Sequence, residues 1–478
     1  MKAMKTEKMK RTFALAYVAT GITQIAEIGY NYLLYKSFPI DEIGLFAWAA
    51  AVVVFFNMAI DLGLEPILTR KFGRDPLPIN KAMMATFLPR APIIVVGAGV
   101  ATALYNFGQF DSDKYWMIVL IGAQAIFNVS DGVCKAWLRA NSRQTNANFL
   151  AVMIGAFKLT AIIVLTSLES GTIYQLLVSL LVIRAVGSLL VYRFVLGAQP
   201  AGNDEPSQRL LDLSGDLLKA GVVIGGISIL TAVQNRFDWL LVSHFISTDA
   251  LATYSLANKF YEISQVLVGA ALITIYPWLC RADTNSALIL IVMRLVVAGG
   301  AILGACGAIL GPLLISILFA SKYSGIGLPV VILMLAVGFM ATSGVLYQLA
   351  LARGHERSLL VVTIFTTTIQ AAANLWLISR FGITGAALGM LLLVVLTSVG
   401  LSMVVWKRGL LSGQVILRIF AYLAIFTFLI VLVSYFSPPV WIALLSCVIA
   451  LAFSAWWLLF EGFERRILQK QMKALLTW

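Results

Sequence analysis

The sequence predicts an all-α polytopic membrane protein with about fourteen transmembrane helices, on three observations. Hydrophobic residues make up 60% of the 478 positions and charged residues 12%, more apolar surface than a soluble fold of this length can bury. The apolar stretches are continuous runs of bilayer-spanning length, and inside hydrocarbon a continuous run satisfies its backbone as a helix. Basic residues also divide sharply between the two sides that an alternating path defines, as a correct count of spans requires.

Taken in order, the spans are 11–36, 42–63, 79–106, 115–138, 147–167 and 172–196, then 217–246, 250–278, 286–320, 326–352, 357–379, 382–406, 414–437 and 439–460. The first follows a basic stretch (Lys2, Lys5, Lys8, Lys10, Arg11) as a signal peptide would, but runs to Lys36, beyond a typical signal core, and is read as a retained helix. The ninth is over-long and is expected to tilt or break near Gly311-Pro312. Gly225-Gly226, Gly299-Gly300, Gly304 and Gly307 form small-residue faces suited to close helix packing. Tyr115-Trp116, Trp441 and Trp456-Trp457 lie where interfacial anchors belong.

With this path, twenty-six Lys and Arg residues fall on one side, four (Lys36, Lys114, Lys322, Arg380) on the other, and five inside spans. Both termini are therefore expected in the cytoplasm. The net charge of +13 is mostly this topogenic bias plus attraction to anionic lipid, and no basic soluble domain offers itself to nucleic acid. The longest hydrophilic connection, Gly197–Asp216, reads as a cytoplasmic linker. Four parts follow: a six-helix lobe over 1–196, the linker 197–216, a second six-helix lobe over 217–408, and two further helices with a tail over 409–478.

The halves show weak similarity at a nearly constant offset. Asp41-Glu42 corresponds to Asp249-Ala250, Gly132-Val133 to Gly344-Val345, and Arg139 to Arg353. Because each half holds an even number of spans, such repeats share one orientation, an arrangement found in transporters. Cys134, Cys280, Cys306 and Cys447 have no paired spacing and read as packing residues; His244 and His355 are isolated, so neither a metal site nor a catalytic residue is expected. No phosphate-binding loop for ATP is present, and the protein is not expected to be an enzyme.

Several stretches resemble one family. They are Ile43-Gly44-Leu45-Phe46 through Asp61-Leu62-Gly63-Leu64 to Arg70, Asn235-Arg236-Phe237-Asp238-Trp239, Tyr254-Ser255-Leu256-Ala257-Asn258-Lys259, Tyr276-Pro277, and Asn374-Leu375-Trp376-Leu377-Ile378 running into Phe381-Gly382-Ile383-Thr384-Gly385-Ala386-Ala387. In order and spacing the chain, from about residue 10 to 408, resembles the polysaccharide transporters, including O-antigen flippases, of the multidrug/oligosaccharidyl-lipid/polysaccharide exporter (MOP) superfamily. The resemblance implies a V-shaped pair of six-helix lobes in the bacterial inner membrane. It also implies an undecaprenyl-pyrophosphate-linked oligosaccharide as cargo, alternating access coupled to H⁺ or Na⁺, and polysaccharide polymerase and assembly proteins as partners; no cofactor is implied.

Against that resemblance, the in-span bases Arg90, Lys158, Arg184, Arg236 and Lys259 are candidate ligands for a pyrophosphate, since Arg offers a planar fork and Lys a compact charge. Glu27 shares a polar stripe with Gln24 and Asn31 and, with Asp131 and Glu262, is a candidate for ion coupling. The competing reading makes acids and bases structural ion pairs, and Lys259 and Glu262 at i,i+3 fit it. Two rival functions stay open. A MATE-like antiporter of cationic drugs calls for an acidic, aromatic pocket, and a membrane glycan polymerase or ligase for a large periplasmic loop.

Overall fold

The computed structural model describes residues 21–61, 64–74, 77–141, 144–168, 171–198, 210–281, 287–320, 322–436, 438–460 and 464. The basic N-terminal stretch, most of the linker and the C-terminal tail lie outside them. The described chain is helical without strands: α1 (21–37), α2 (Ile40–Asp61), α3 (Leu64–Arg74), α4 (Ile79–Asn106), α5 (Ser112–Ala140), α6 (Gln144–Ser167) and α7 (Ile173–Ala198), followed by α8 (Leu210–Phe245), α9 (Thr248–Arg281), α10 (Ala287–Phe319), α11 (Gly327–Ala352), α12 (Glu356–Lys407), α13 (Gly413–Phe436) and α14 (Val440–Ser454). Nine of the described helices are each long and apolar enough to cross a bilayer, and the chain is a multi-pass membrane protein. The short α3 is polar and follows the second span without crossing. The other helices match the fourteen sequence spans one for one, provided that α12 counts twice.

It does count twice, because its 52 residues fold back on themselves at Gly382, where φ is 61° and ψ −138°. Only glycine holds that conformation without strain. Beyond the turn, Gly385 lies against Leu377, Gly389 against Asn374 and Gly400 against Val362. The pairs are symmetric about the turn, so residues 356–381 and 383–407 form an antiparallel hairpin. The Asn374-to-Ala387 motif is thus the chemistry of a tight turn between two closely packed helices.

Alternation of the spans is visible in contacts between their ends. The Tyr174 hydroxyl donates to Asp113 at 2.7 Å, joining α7 to α5. Arg139 of α5 pairs with Glu65 of α3. A Cβ at Gly382 would touch Ile246 at 3.6 Å, and Arg294 near the start of α10 pairs with Glu464 beyond α14, both buried. Each contact joins ends that the alternating path puts on one side.

The chain divides into two compact units, 1–236 and 237–478, with the division inside α8. In the first, α5 is the hub and packs on α2, α3, α4, α6 and α7. Its core gathers Leu64 and Leu68, Ile79, Ala82 and Ala85, Val133 and Trp137, Val191 and Val195, and Leu213 and Leu217 from five helices. In the second, α11 is the hub and packs on α9, α10 and α12. The two hubs are the helices related by the Gly132-to-Gly344 offset. The matching pairs α2–α5 and α9–α11, α4–α5 and α10–α11, and α5–α7 and α11–α12 repeat the same packing plan within each unit.

Helix α10 is over-long, as its sequence suggests, and does not break. It runs unbroken through Pro312 for 33 residues. One proline removes a single backbone bond, and the glycine row beside it holds the helix on α11. A Cβ at Gly300 would come within 2.3 Å of Ala341, at Gly307 within 2.3 Å of Met334, and at Gly311 within 2.7 Å of Val330. Gly304 meets the Met334 carbonyl at 2.5 Å, whereas Gly299 faces open space. At ~1.5 Å per residue the helix is about 50 Å long, well beyond a hydrocarbon core of ~30 Å, and is expected to tilt or project. Cys134 and Cys447 are buried and, like Cys306, unbridged; the side chain of Cys280 lies outside the described residues.

Candidate functional site: a charged cleft in the first unit

Four helices of the first unit bring charged side chains together. α1 lays one face on α6, where a Cβ at Gly155 would contact Thr23 and Ala26, and one at Gly29 would contact Leu159. Ile22, Ile25 and Ile28 of α1 are exposed, and the polar stripe of Gln24, Glu27 and Asn31 is partly buried. Asn31 donates to the Glu27 carbonyl at 2.7 Å, and the Lys158 ammonium of α6 approaches the Glu27 carboxylate at 3.3 Å while lying 5.2 Å over the Tyr30 ring. Both side chains of that pair are partly open (31% and 42%).

A second, firmer pair joins α5 to α7. Arg184 meets the Asp131 carboxylate at 3.0 Å. The other Asp131 oxygen accepts from Ser188 at 2.5 Å, and Arg184 also donates to Asn128. Asp131 is 4% exposed. A carboxylate so buried holds its charge only with a cation and hydrogen bonds around it, and this one has all of them.

Between the two pairs lies an open cleft of about 160 Å³, lined by Thr23, Glu27, Asp131, Lys135, Lys158 and Arg184 among others. Lys135 is one turn beyond Asp131 on α5 and half-buried. Counted together, two acids and three bases line one space. A larger space of about 450 Å³ between α2, α4 and α5 has apolar walls such as Phe56, Ile94 and Ile118 and gathers no charged group.

The remaining candidates lie elsewhere. Arg90 of α4 is 3% exposed. Its Nε and Nη2 donate at 2.7 Å to the carbonyls of Ile60 and Asp61, which end α2 without helical partners. The Asp61 carboxylate is 3.9 Å away. Arg90 thus caps a helix and does not line the cleft. Lys259 and Glu262 pair with each other at 2.8 Å on α9 in the second unit, as their i,i+3 spacing allows. Arg236 is half-buried on α8. Nearby Asp238 accepts from the Tyr254 hydroxyl at 2.5 Å and the Trp239 amide at 2.9 Å, which ties two of the resemblance motifs together.

Sequence reasoning overlooked Asn128, Ser188 and Lys135. Their signal was spacing: Asn128, Asp131 and Lys135 recur at i, i+3 and i+7, and Arg184 and Ser188 at i and i+4, each on one helical face.

No protein-family model matches the sequence, and no curated protein sequence matches it. Solved structures do. The chain is similar to the lipid II flippase MurJ in an inward closed conformation, with a TM-score of 0.73 at 10% identity over 92% of this chain and 98% of that one. It is similar to an inward-facing multidrug resistance MATE family transporter of the MOP superfamily, with a TM-score of 0.61 at 14% identity over 85% and 98%. A MATE transporter of Vibrio cholerae, VcmN, gives 0.53 at 17% identity over 84% and 99%. The chain therefore has the fold of MOP-type membrane transporters.

Proposed function

We propose that this protein is a flippase that moves an undecaprenyl-pyrophosphate-linked oligosaccharide, an O-antigen or other surface-glycan unit, from the cytoplasmic to the periplasmic leaflet by alternating access. The fold is shared by a lipid II flippase and by multidrug transporters and so admits either cargo class. The observation that favours the glycolipid is the charge of the cleft, where Lys135, Lys158 and Arg184 outnumber Glu27 and Asp131. A pyrophosphate entering a membrane must shed water, and charge-assisted hydrogen bonds from Lys and Arg offset that loss. A cationic drug would meet like charge there. Glu27 is the proposed coupling residue, because its side chain is partly open and can exchange a proton or Na⁺ when Lys158 turns to cargo.

The test is glycan surfacing in a strain lacking the native gene, normalised to inserted protein. The wild-type chain is expected to restore it. Lys158→Glu, which sets a second carboxylate beside Glu27, is expected to lower it by about tenfold or more at normal abundance. Full surfacing in Lys158→Glu would remove Lys158 from the cargo path.

A further inference from the structure

The apolar space between α2, α4 and α5 takes no part in the charged cleft. It follows α4 from Ile94 to Leu104 and α5 from Ile118 to Ile126, and Phe56 of α2 and Phe110 of the α4–α5 connection complete it. Among the described residues its walls carry no polar side chain. Small residues make the room, and a Cβ at Gly122 would meet nothing within 4 Å. Two wall residues, Val100 and Ile126, are 53% and 38% exposed, so the space opens sideways on the surface of the helices. Ten residues of helix cover ~15 Å, half of a hydrocarbon core of ~30 Å. The slot is therefore as deep as one leaflet, the leaflet at the α4–α5 end. Spread over that depth, its 450 Å³ leaves a bore of about 30 Å², room for one alkyl chain and too narrow for a helix ~10–12 Å across.

The outer end of the slot is polar. Phe110 meets Trp48 edge-on at 5.5 Å, and the Lys114 ammonium lies 5.9 Å over the same Trp48 ring. Lys114 pairs with Asp111 at 3.5 Å, and the two side chains are 35% and 82% exposed. Tyr105 stacks on Tyr115 at 4.7 Å at the same end, as aromatic side chains do at headgroup level. One cation and one anion thus stand side by side above a slot of leaflet depth.

We propose that this slot holds one acyl chain of a zwitterionic phospholipid, phosphatidylethanolamine, with Lys114 on its phosphate and Asp111 on its ammonium. An empty apolar slot forfeits dispersion contacts along its lining, and in a bilayer the hydrocarbon at hand to restore them is a lipid tail. The tail does not select the lipid, because surrounding tails are as apolar as the walls. Selection falls to the headgroup. Phosphatidylglycerol offers a phosphate to Lys114 but brings no cation to Asp111, which repels it. Such a lipid is a fixed companion of the first unit, whatever cargo the charged cleft takes.

The experiment uses purified full-length protein incubated with an equal mixture of phosphatidylethanolamine and phosphatidylglycerol, and counts retained lipids by native mass spectrometry. Wild type is expected to keep one phosphatidylethanolamine per chain, preferred about tenfold over phosphatidylglycerol. Gly122→Leu fills the slot where there is open space, and is expected to lower retention about tenfold without lowering the melting temperature. Lys114→Gln is expected to weaken both lipids, and Asp111→Asn to bring phosphatidylglycerol level with phosphatidylethanolamine. A phosphatidylethanolamine with a diazirine in mid-chain is expected to crosslink the wild-type chain within 94–104 and 118–126. Crosslinks elsewhere, or unchanged retention in Gly122→Leu, overturn the slot. Equal retention of the two lipids by wild type overturns the headgroup recognition. A lipid-free dimer that Gly122→Leu dissociates overturns the lipid and gives the slot to a second copy of the chain.

Discussion

Arg90→Ala is expected to cost about 3–6 kcal/mol of stability, from two charge-assisted hydrogen bonds at ~1.5–3 kcal/mol each, and to deplete folded protein from the membrane. The two carbonyls that Arg90 serves, those of Ile60 and Asp61, are the exposed negative end of α2. Arg90 is buried against them (3% exposed), so its removal leaves both carbonyls without their donor. Arg90→Lys should recover part of the loss, since an ammonium restores charge at one carbonyl but cannot fork to both. Thermal unfolding in detergent, read beside membrane abundance, separates this role from cargo binding. Normal abundance with lost transport in Arg90→Ala would show instead that Arg90 acts on the cargo, as the sequence alone suggested.

Gly385→Val should prevent the α12 hairpin from closing. A Cβ at Gly385 would lie 2.0 Å from the Leu377 carbonyl oxygen and 2.4 Å from its carbon. Those are backbone atoms of a packed helix and cannot swing aside as a side chain would. The two arms would have to separate along their length, losing the contacts at Gly389 and Gly400 as well. A loss above ~4 kcal/mol is expected, enough to abolish folded protein. Gly400→Ala is the milder control, because it meets only the flexible end of Val362 at 2.9 Å. Equal abundance of Gly385→Val and wild type would refute the hairpin geometry.

These two positions show where the sequence was legible. The spans were, because twenty apolar residues in a row have one physical solution in a bilayer, and the gap between the spans 357–379 and 382–406 falls next to the turn at Gly382. Gly132 and Gly344, which the sequence offset relates, lie on the two hub helices α5 and α11. Arg90 reads in the sequence as a mid-span base, and its hydrogen-bond partners are backbone carbonyls some thirty residues upstream, which no side-chain pattern announces. Lys135 was hidden for the opposite reason. It sits three residues from the end of its span, where a lysine reads as a topogenic charge, and only the packing of α1 and α6 beside α5 turns it toward a cleft. The pairing of Lys158 with Glu27 could not be read either, since any of the in-span acids could have faced it, whereas the i,i+3 pair Lys259–Glu262 required no tertiary knowledge.

The central claim is that the cleft selects an anionic, lipid-borne cargo. Its most direct test is reconstitution of the protein in proteoliposomes. A polyprenyl-pyrophosphate-linked oligosaccharide is placed in one leaflet and its arrival in the other is read with a membrane-impermeant glycosidase, alongside uptake of an organic cation. The account predicts protein-dependent translocation of the glycolipid that Lys135→Glu and Lys158→Glu suppress, with no cation uptake. Cation uptake driven by an ion gradient, with the glycolipid left in its original leaflet, would contradict it.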